Sequence, residues 1–125
     1  RRYLYDPDGA VVRAHLVAEF ASTVDGCLAD DRIAYVFADA PVATPFGTAL
    51  EVVARLPYGL KPLRSALRAH GIGALEIRKR GVAVEPDRLR RELRLSGDES
   101  ATLVLTRLGA RPTALLCRRV PAQTA

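Results

Sequence analysis

Lys61, Arg64 and Arg68 follow one another at spacings of three and four, which on a helix puts all three side chains on one face. Shortly afterwards comes the run Arg78-Lys79-Arg80, closed by Gly81. Six cationic heads gathered near one edge would neutralise phosphates with little preference for sequence, because such contacts read the backbone and not the base edges. Tyr58, just ahead of the first of them, carries a ring that could stack on an unpaired base. The ordinary alternative is a solvated helix face, a charged strand end and a turn aromatic lying over a sheet edge.

Other chemistry finds little support. Glu76 lies inside the basic segment and reads as an ion-pair partner for a neighbouring arginine before a catalytic acid. His15 and His70 are isolated and read as solvent-facing helix residues. Gly71-Ile72-Gly73 lacks a third glycine at dinucleotide spacing and follows a helix, not a strand. Leu56-Pro57-Tyr58 lacks the Asn or Asp that would accept a hydrogen bond from a methylated amine. No Walker loop, serine nucleophile elbow or acid, base and nucleophile set is present. Cys27 and Cys117 are far apart, neither near a histidine, so both read as buried thiols of a cytosolic protein and neither a disulfide framework nor a metal site is expected.

The charge is uneven along the chain. Residues 1–50 carry 4 basic and 7 acidic groups, and residues 51–125 carry 15 basic and 7 acidic groups. The second part is thus suited to meet a polyanion. Arg outnumbers Lys 17 to 2 and Ala is abundant, a composition that a GC-rich genome also produces. The length of 125 residues suits one ordinary domain, and 49% apolar with 26% charged residues excludes a disordered tail. No apolar run reaches the roughly 18–20 residues that span a bilayer, and no leader is visible. The start at Arg1-Arg2-Tyr3 without Met reads as a piece of something longer.

The elements that must position the basic residues follow from periodicity. Asp6-Pro7-Asp8-Gly9 reads as a helix start. Val12, Leu16, Phe20 and Val24 recur every four residues, predicting one amphipathic helix over residues 7–24. Ile33–Phe37 is a compact strand, and residues 38–48, with Pro41, Pro45 and Gly47, are a connecting loop. Leu50–Leu56 alternates as a strand. Leu60, Leu63 and Leu67 form a helical stripe that stops at Gly71. Residues 72–79 alternate again, and Glu85-Pro86-Asp87 opens a second helix with Leu89 and Leu93 inward. Asp87 with Arg91 and Arg88 with Glu92 are expected as charge pairs on its outer surface. Residues 101–107 and 113–119 are two final strands joined by a hairpin.

The fold class expected is therefore α/β in the α+β sense. A four-stranded mixed sheet in the order strand-helix-strand-helix-strand-strand carries two helices on one face, and an N-terminal helix and a short strand precede it. The other sheet face is expected to be open. Leu63, Leu67, Leu75, Ile77, Leu89, Leu93, Leu103 and Leu105 are the expected core.

The segments Leu56-Pro57-Tyr58-Gly59-Leu60-Lys61-Pro62-Leu63-Arg64 and Gly71-Ile72-Gly73-Ala74-Leu75-Glu76-Ile77-Arg78-Lys79-Arg80-Gly81-Val82 resemble the THUMP-like domain at the C-terminus of actinobacterial class I SAM-dependent methyltransferases. Leu89–Leu93, Ala101–Arg107 and Tyr3–Ala14 fit the same pattern, so the resemblance covers nearly the whole chain. It implies three parts: residues 1–48 connecting from an upstream catalytic module, residues 49–120 as the THUMP-like domain, and residues 121–125 as a tail. THUMP domains bind RNA in tRNA-modifying enzymes. The resemblance accordingly implies a non-catalytic, cytoplasmic RNA-binding module with RNA, tRNA included, and the upstream methyltransferase domain as its partners, and with no membrane. SAM would be held in that upstream domain and no cofactor here. The residues implied to meet RNA are Lys61, Arg64, Arg68, Arg78, Lys79, Arg80 and Tyr58. The alternative is a structural domain that packs on the methyltransferase module, or mediates dimerisation, without touching RNA.

Overall fold

A computed structural model describes residues 2–30 and 33–120; the tail expected at 121–125 lies outside the described residues. The elements are β1 (Tyr3–Pro7), α1 (Gly9–Arg13), α2 (Val17–Thr23), β2 (Cys27–Asp30), β3 (Ile33–Ala38), β4 (Gly47–Leu56), α3 (Leu60–Ala69), β5 (Ile72–Lys79), α4 (Pro86–Leu93), β6 (Glu99–Leu108) and β7 (Arg111–Arg119). Hydrogen bonding orders the strands β2-β3-β1-β4-β7-β6-β5. Among the described residues the sheet thus has seven strands where four were expected, and there are four helices where three were expected. The class, α+β with a mixed sheet, stands. No helix among the described residues is long and apolar enough to cross a membrane.

The chain divides into two compact units, one of residues 1–52 with 118–125 and one of residues 53–117. In the first unit β1 pairs antiparallel with both β3 and β4, and β2 pairs antiparallel with β3. The helix expected over 7–24 is corrected to a strand end and two short helices. Asp8 N donates to Phe46 O at 2.8 Å, and His15 interrupts the helical run with φ 59°. Tyr5, Phe20, Val24 and Val36 form the core of this unit, and the Tyr5 and Phe20 rings meet edge to face at 6.1 Å. Cys27 is exposed, contrary to expectation.

Glu51 lies on β4 with its carboxylate between the guanidinium groups of Arg118 and Arg2, both of which pair with it. The hydrogen bond from Arg118 holds its pKa below the ordinary glutamate value; burial opposes this and Arg2 assists. A carboxylate depressed in the folded state contributes stability above its unfolded pKa and loses it as pH falls through the folded one. The unfolding temperature should therefore drop as pH is lowered below about 4.3. Glu51→Gln should melt lower than the unsubstituted chain at pH 7 and show a shallower decline in acid, as followed by circular dichroism. Parallel acid profiles for the two proteins would show that Glu51 does not carry this dependence.

In the second unit β5 runs parallel to β6, with α4 as the crossover, and β6 and β7 form an antiparallel hairpin. Leu63, Leu67, Leu75, Leu93, Leu103 and Leu105 are buried together with Leu56, Ile72 and Leu116, while Ile77 and Leu89 are half-buried around them. The alternation on β6 puts Leu103 and Leu105 under the helices and Thr102, Val104 and Thr106 on the opposite face. That face is not open on β6 and β7, since Val104, Thr106 and Cys117 are fully buried. Desolvation pushes the Cys117 thiol up to about 12, so it is chemically inert in the folded chain.

Candidate nucleic-acid interface

The sequence builds α3 from a positive-φ Gly59, Pro62 in the first turn, where it breaks no helical hydrogen bond, and the buried pair Leu63 and Leu67. With these inward, Lys61, Arg64 and Arg68 fall along one flank. That flank is the side from which α3 reaches α4. Arg64 Nη2 donates to Glu92 O, and Arg68 Nη2 donates to Arg94 O at 3.1 Å. Both carbonyls belong to the C-terminal end of α4, where main-chain oxygens have no partner inside the helix. The arginines satisfy them and place positive charge at the negative end of the helix dipole. Arg64 is half-buried and its Nε has no hydrogen-bond partner among the described residues, whereas Arg68 and Lys61 are exposed.

A carbonyl carries no net charge, so these hydrogen bonds fix Arg64 and Arg68 in place without neutralising them. Lys61 has no ion-pair partner among the described residues. The other cations on these elements differ. Arg88 pairs with Glu92 at 2.8 Å as expected, and this pairing raises its pKa. Asp87, expected to pair with Arg91, pairs instead with Arg90 at 2.8 Å. Arg90 also donates from Nε to Leu75 O on β5 at 3.0 Å. A three-residue spacing wins over a four-residue one here because Arg90 is already drawn toward the sheet.

The second basic run is divided by the pleat of β5. Leu75, Ile77 and Lys79 alternate on the helix side, and Glu76 and Arg78 on the other. There Arg78 Nε binds Glu76 Oε1 at 3.1 Å, and Thr102 donates to the same oxygen at 3.1 Å. Glu76 is thus an ion-pair partner, as its surroundings in the sequence indicate. Lys79 is exposed at the strand end, and Arg80 follows it with its N–H on Leu105 O at 3.1 Å. Tyr58 is exposed in the turn before α3. The structure therefore brings Lys61, Arg64 and Arg68 together on one flank and places Arg78 on the opposite face of the sheet. Periodicity gave no signal for the left-handed conformation of Arg94, because Gly97 stands three residues later as the obvious helix stop.

Gly71-Ile72-Gly73 does not fit a cofactor cradle. A Cβ on Gly73 would lie 1.8 Å from Gly97 O, and one on Gly97 would lie 2.1 Å from Gly71 O. These glycines let two stretches of backbone touch, which leaves no space between them for a nucleoside or nucleotide.

Two uncharacterized S-adenosylmethionine-dependent methyltransferases of Mycobacterium tuberculosis, from strains CDC 1551 and H37Rv, are each 41% identical over 121 residues, 94% of this chain. The chain spans 33% of their length. A solved structure of a putative methyltransferase from Porphyromonas gingivalis W83 shares the fold with a TM-score of 0.76 at 17% identity, covering 95% of this chain and 29% of that one. Residues 47–119 match the THUMP domain-like family, and on that match the chain belongs to it.

Proposed function

We propose that the chain is the RNA-docking module of a cytoplasmic SAM-dependent methyltransferase, with SAM and methyl transfer assigned to a part of the parent protein outside these 125 residues. The observation that carries the reading is the α3 flank, where Lys61, Arg64 and Arg68 keep their charge because no carboxylate among the described residues pairs with them. The family and the names of the mycobacterial relatives support it. RNA is bound weakly and without strong sequence preference through Lys61, Arg64 and Arg68, with Lys79, Arg80, Arg78 and Tyr58 as outlying contacts. Arg78 contributes least, since Glu76 already holds it.

Three or four engaged phosphates give a slope of log affinity against log salt of about −2 to −4. Lys61→Ala should flatten that slope by about 0.7–0.9, which at 0.1 M salt is a loss of roughly five- to eightfold. It leaves the fold intact because Lys61 is an exposed helix position. Arg88→Ala, which removes a cation already paired with Glu92, should change binding far less. Fluorescence anisotropy of a labelled RNA hairpin across a salt series reads both. Equal losses would indicate attraction by net charge alone. No binding at about 50 mM salt would favour the second reading, a domain that packs on the methyltransferase part. That reading has its own support in the first unit, where exposed Leu16 and Phe46 join Val11 and Phe20 around an apolar groove of about 340 Å³.

A further inference from the structure

We propose that Arg68 and Arg94 form a phosphate seat at the C-terminal end of α4, in which Arg94 is kept for binding at the expense of the fold. This rests on the RNA-docking reading and adds to it a residue that lies on neither basic run of the sequence. Arg94 caps α4 in the left-handed conformation, with φ 50° and ψ 52°. Glycine adopts that conformation at no steric cost, and residues with a Cβ are disfavoured there. Its side chain is exposed and makes no hydrogen bond or ion pair among the described residues. The fold therefore gains nothing from an arginine at this position that glycine would not give it. A conformationally disfavoured residue with an idle, charged side chain points to an external ligand.

The neighbouring geometry supplies the rest of the seat. Arg94 O accepts from Arg68 Nη2 at 3.1 Å, so the Arg94 side chain springs from a backbone that already holds a second guanidinium. The carboxylate of Glu92, two residues before Arg94, is taken by Arg88. The negative end of α4, which would repel an anion, is covered by Arg64 on Glu92 O and Arg68 on Arg94 O. One guanidinium held on the Arg94 carbonyl and a second carried by Arg94 itself, neither neutralised, are suited to the planar, two-pronged hydrogen bonding of a phosphodiester.

The test pairs thermal unfolding with anisotropy titrations of a labelled RNA hairpin over a salt series, for the unsubstituted chain, Arg94→Gly, Arg94→Lys and Arg94→Gln. Arg94→Gly should melt at a higher temperature yet bind roughly five- to eightfold more weakly at 0.1 M salt, with a slope flatter by about 0.7–0.9. Arg94→Lys should bind nearly as the unsubstituted chain does. Arg94→Gln, which keeps the backbone penalty and drops the charge, should show the same binding loss without the gain in melting temperature. Arg94→Gly and Arg94→Gln binding as tightly as a binding-competent unsubstituted chain would reduce Arg94 to a helix cap and leave the RNA-docking reading standing. An unsubstituted chain that does not bind the hairpin would overturn both.

Discussion

Replacing Gly73 with alanine lowers the stability of the chain by about 3 kcal/mol, the expected result of building a Cβ 1.8 Å from Gly97 O. The atoms it would strike are all main chain, so no side-chain rotation relieves the clash. The start of β5 has to move away from the segment leading into β6. That movement pulls on the hydrogen bond from Glu99 N to Gly71 O, at 3.0 Å, and on the bulge between Ile72 and Ala74. Gly97→Ala should cost a similar amount for the reciprocal reason. Gly71→Ala is the informative contrast. The nearest atom to its added Cβ is 3.7 Å away, and only its φ of 72° is unfavourable for a side chain, so its cost should stay near 1–2 kcal/mol. Urea unfolding of the three variants ranks them. A loss below about 1 kcal/mol for Gly73→Ala would mean that the two backbones do not meet as closely as described.

Leu67→Ala should cost about 3–4 kcal/mol, within the range for a buried leucine whose cavity cannot collapse. Leu67 is fully buried on α3 among Leu63, Leu75, Leu93 and Leu103. The strands beneath it are fixed by two ladders, so the surroundings have little freedom to fill the gap. The corresponding fall in unfolding temperature is on the order of 10 °C or more. Leu89, half-buried at the margin of the same cluster, should lose roughly half as much on truncation, in keeping with the smaller area it hides from water. Equal costs at the two positions would indicate that Leu89 is packed as deeply as Leu67.

Much of the second unit was legible because its signals agree. The leucine stripes of α3 and α4, the alternation of β5 and the glycines at φ 72° and 79° that follow α3 and β5 each point to one boundary. The first unit was misread where signals conflict. Tyr3–Pro7 forms a strand, but Asp6-Pro7-Asp8-Gly9 carries the chemistry of a helix start and masked it. Val12, Leu16, Phe20 and Val24 are spaced by four, and each such step drifts about 40° around a helix of 3.6 residues per turn. Three such steps spread the four over about 120°, which one broad helix face could still cover, so spacing alone predicted a single helix. The chain instead breaks at His15, leaving Leu16 exposed while Phe20 and Val24 go inside. β2 offered only four residues beside an acidic turn, too few for a period to show. At the candidate interface the α3 row was readable from spacing. The carbonyls that hold Arg64 and Arg68 were not, since they depend on where a helix 26 to 28 residues away comes to rest.

The hydrogen bond from Arg90 to Leu75 has a bearing on how the protein behaves when concentrated. β5 ends the strand order, and a terminal strand of eight residues would ordinarily present a template on which a strand of another molecule could add. Here the Leu75 carbonyl is occupied by a charged side chain, the bulge at Ile72–Ala74 throws the first part of the strand out of step, and Lys79 stands at its far end. An incoming strand would find no straight run of vacant donors and acceptors along this edge. Polymerisation by edge-to-edge pairing is therefore opposed at β5 by the same last turn of α4 that leads into the proposed phosphate seat.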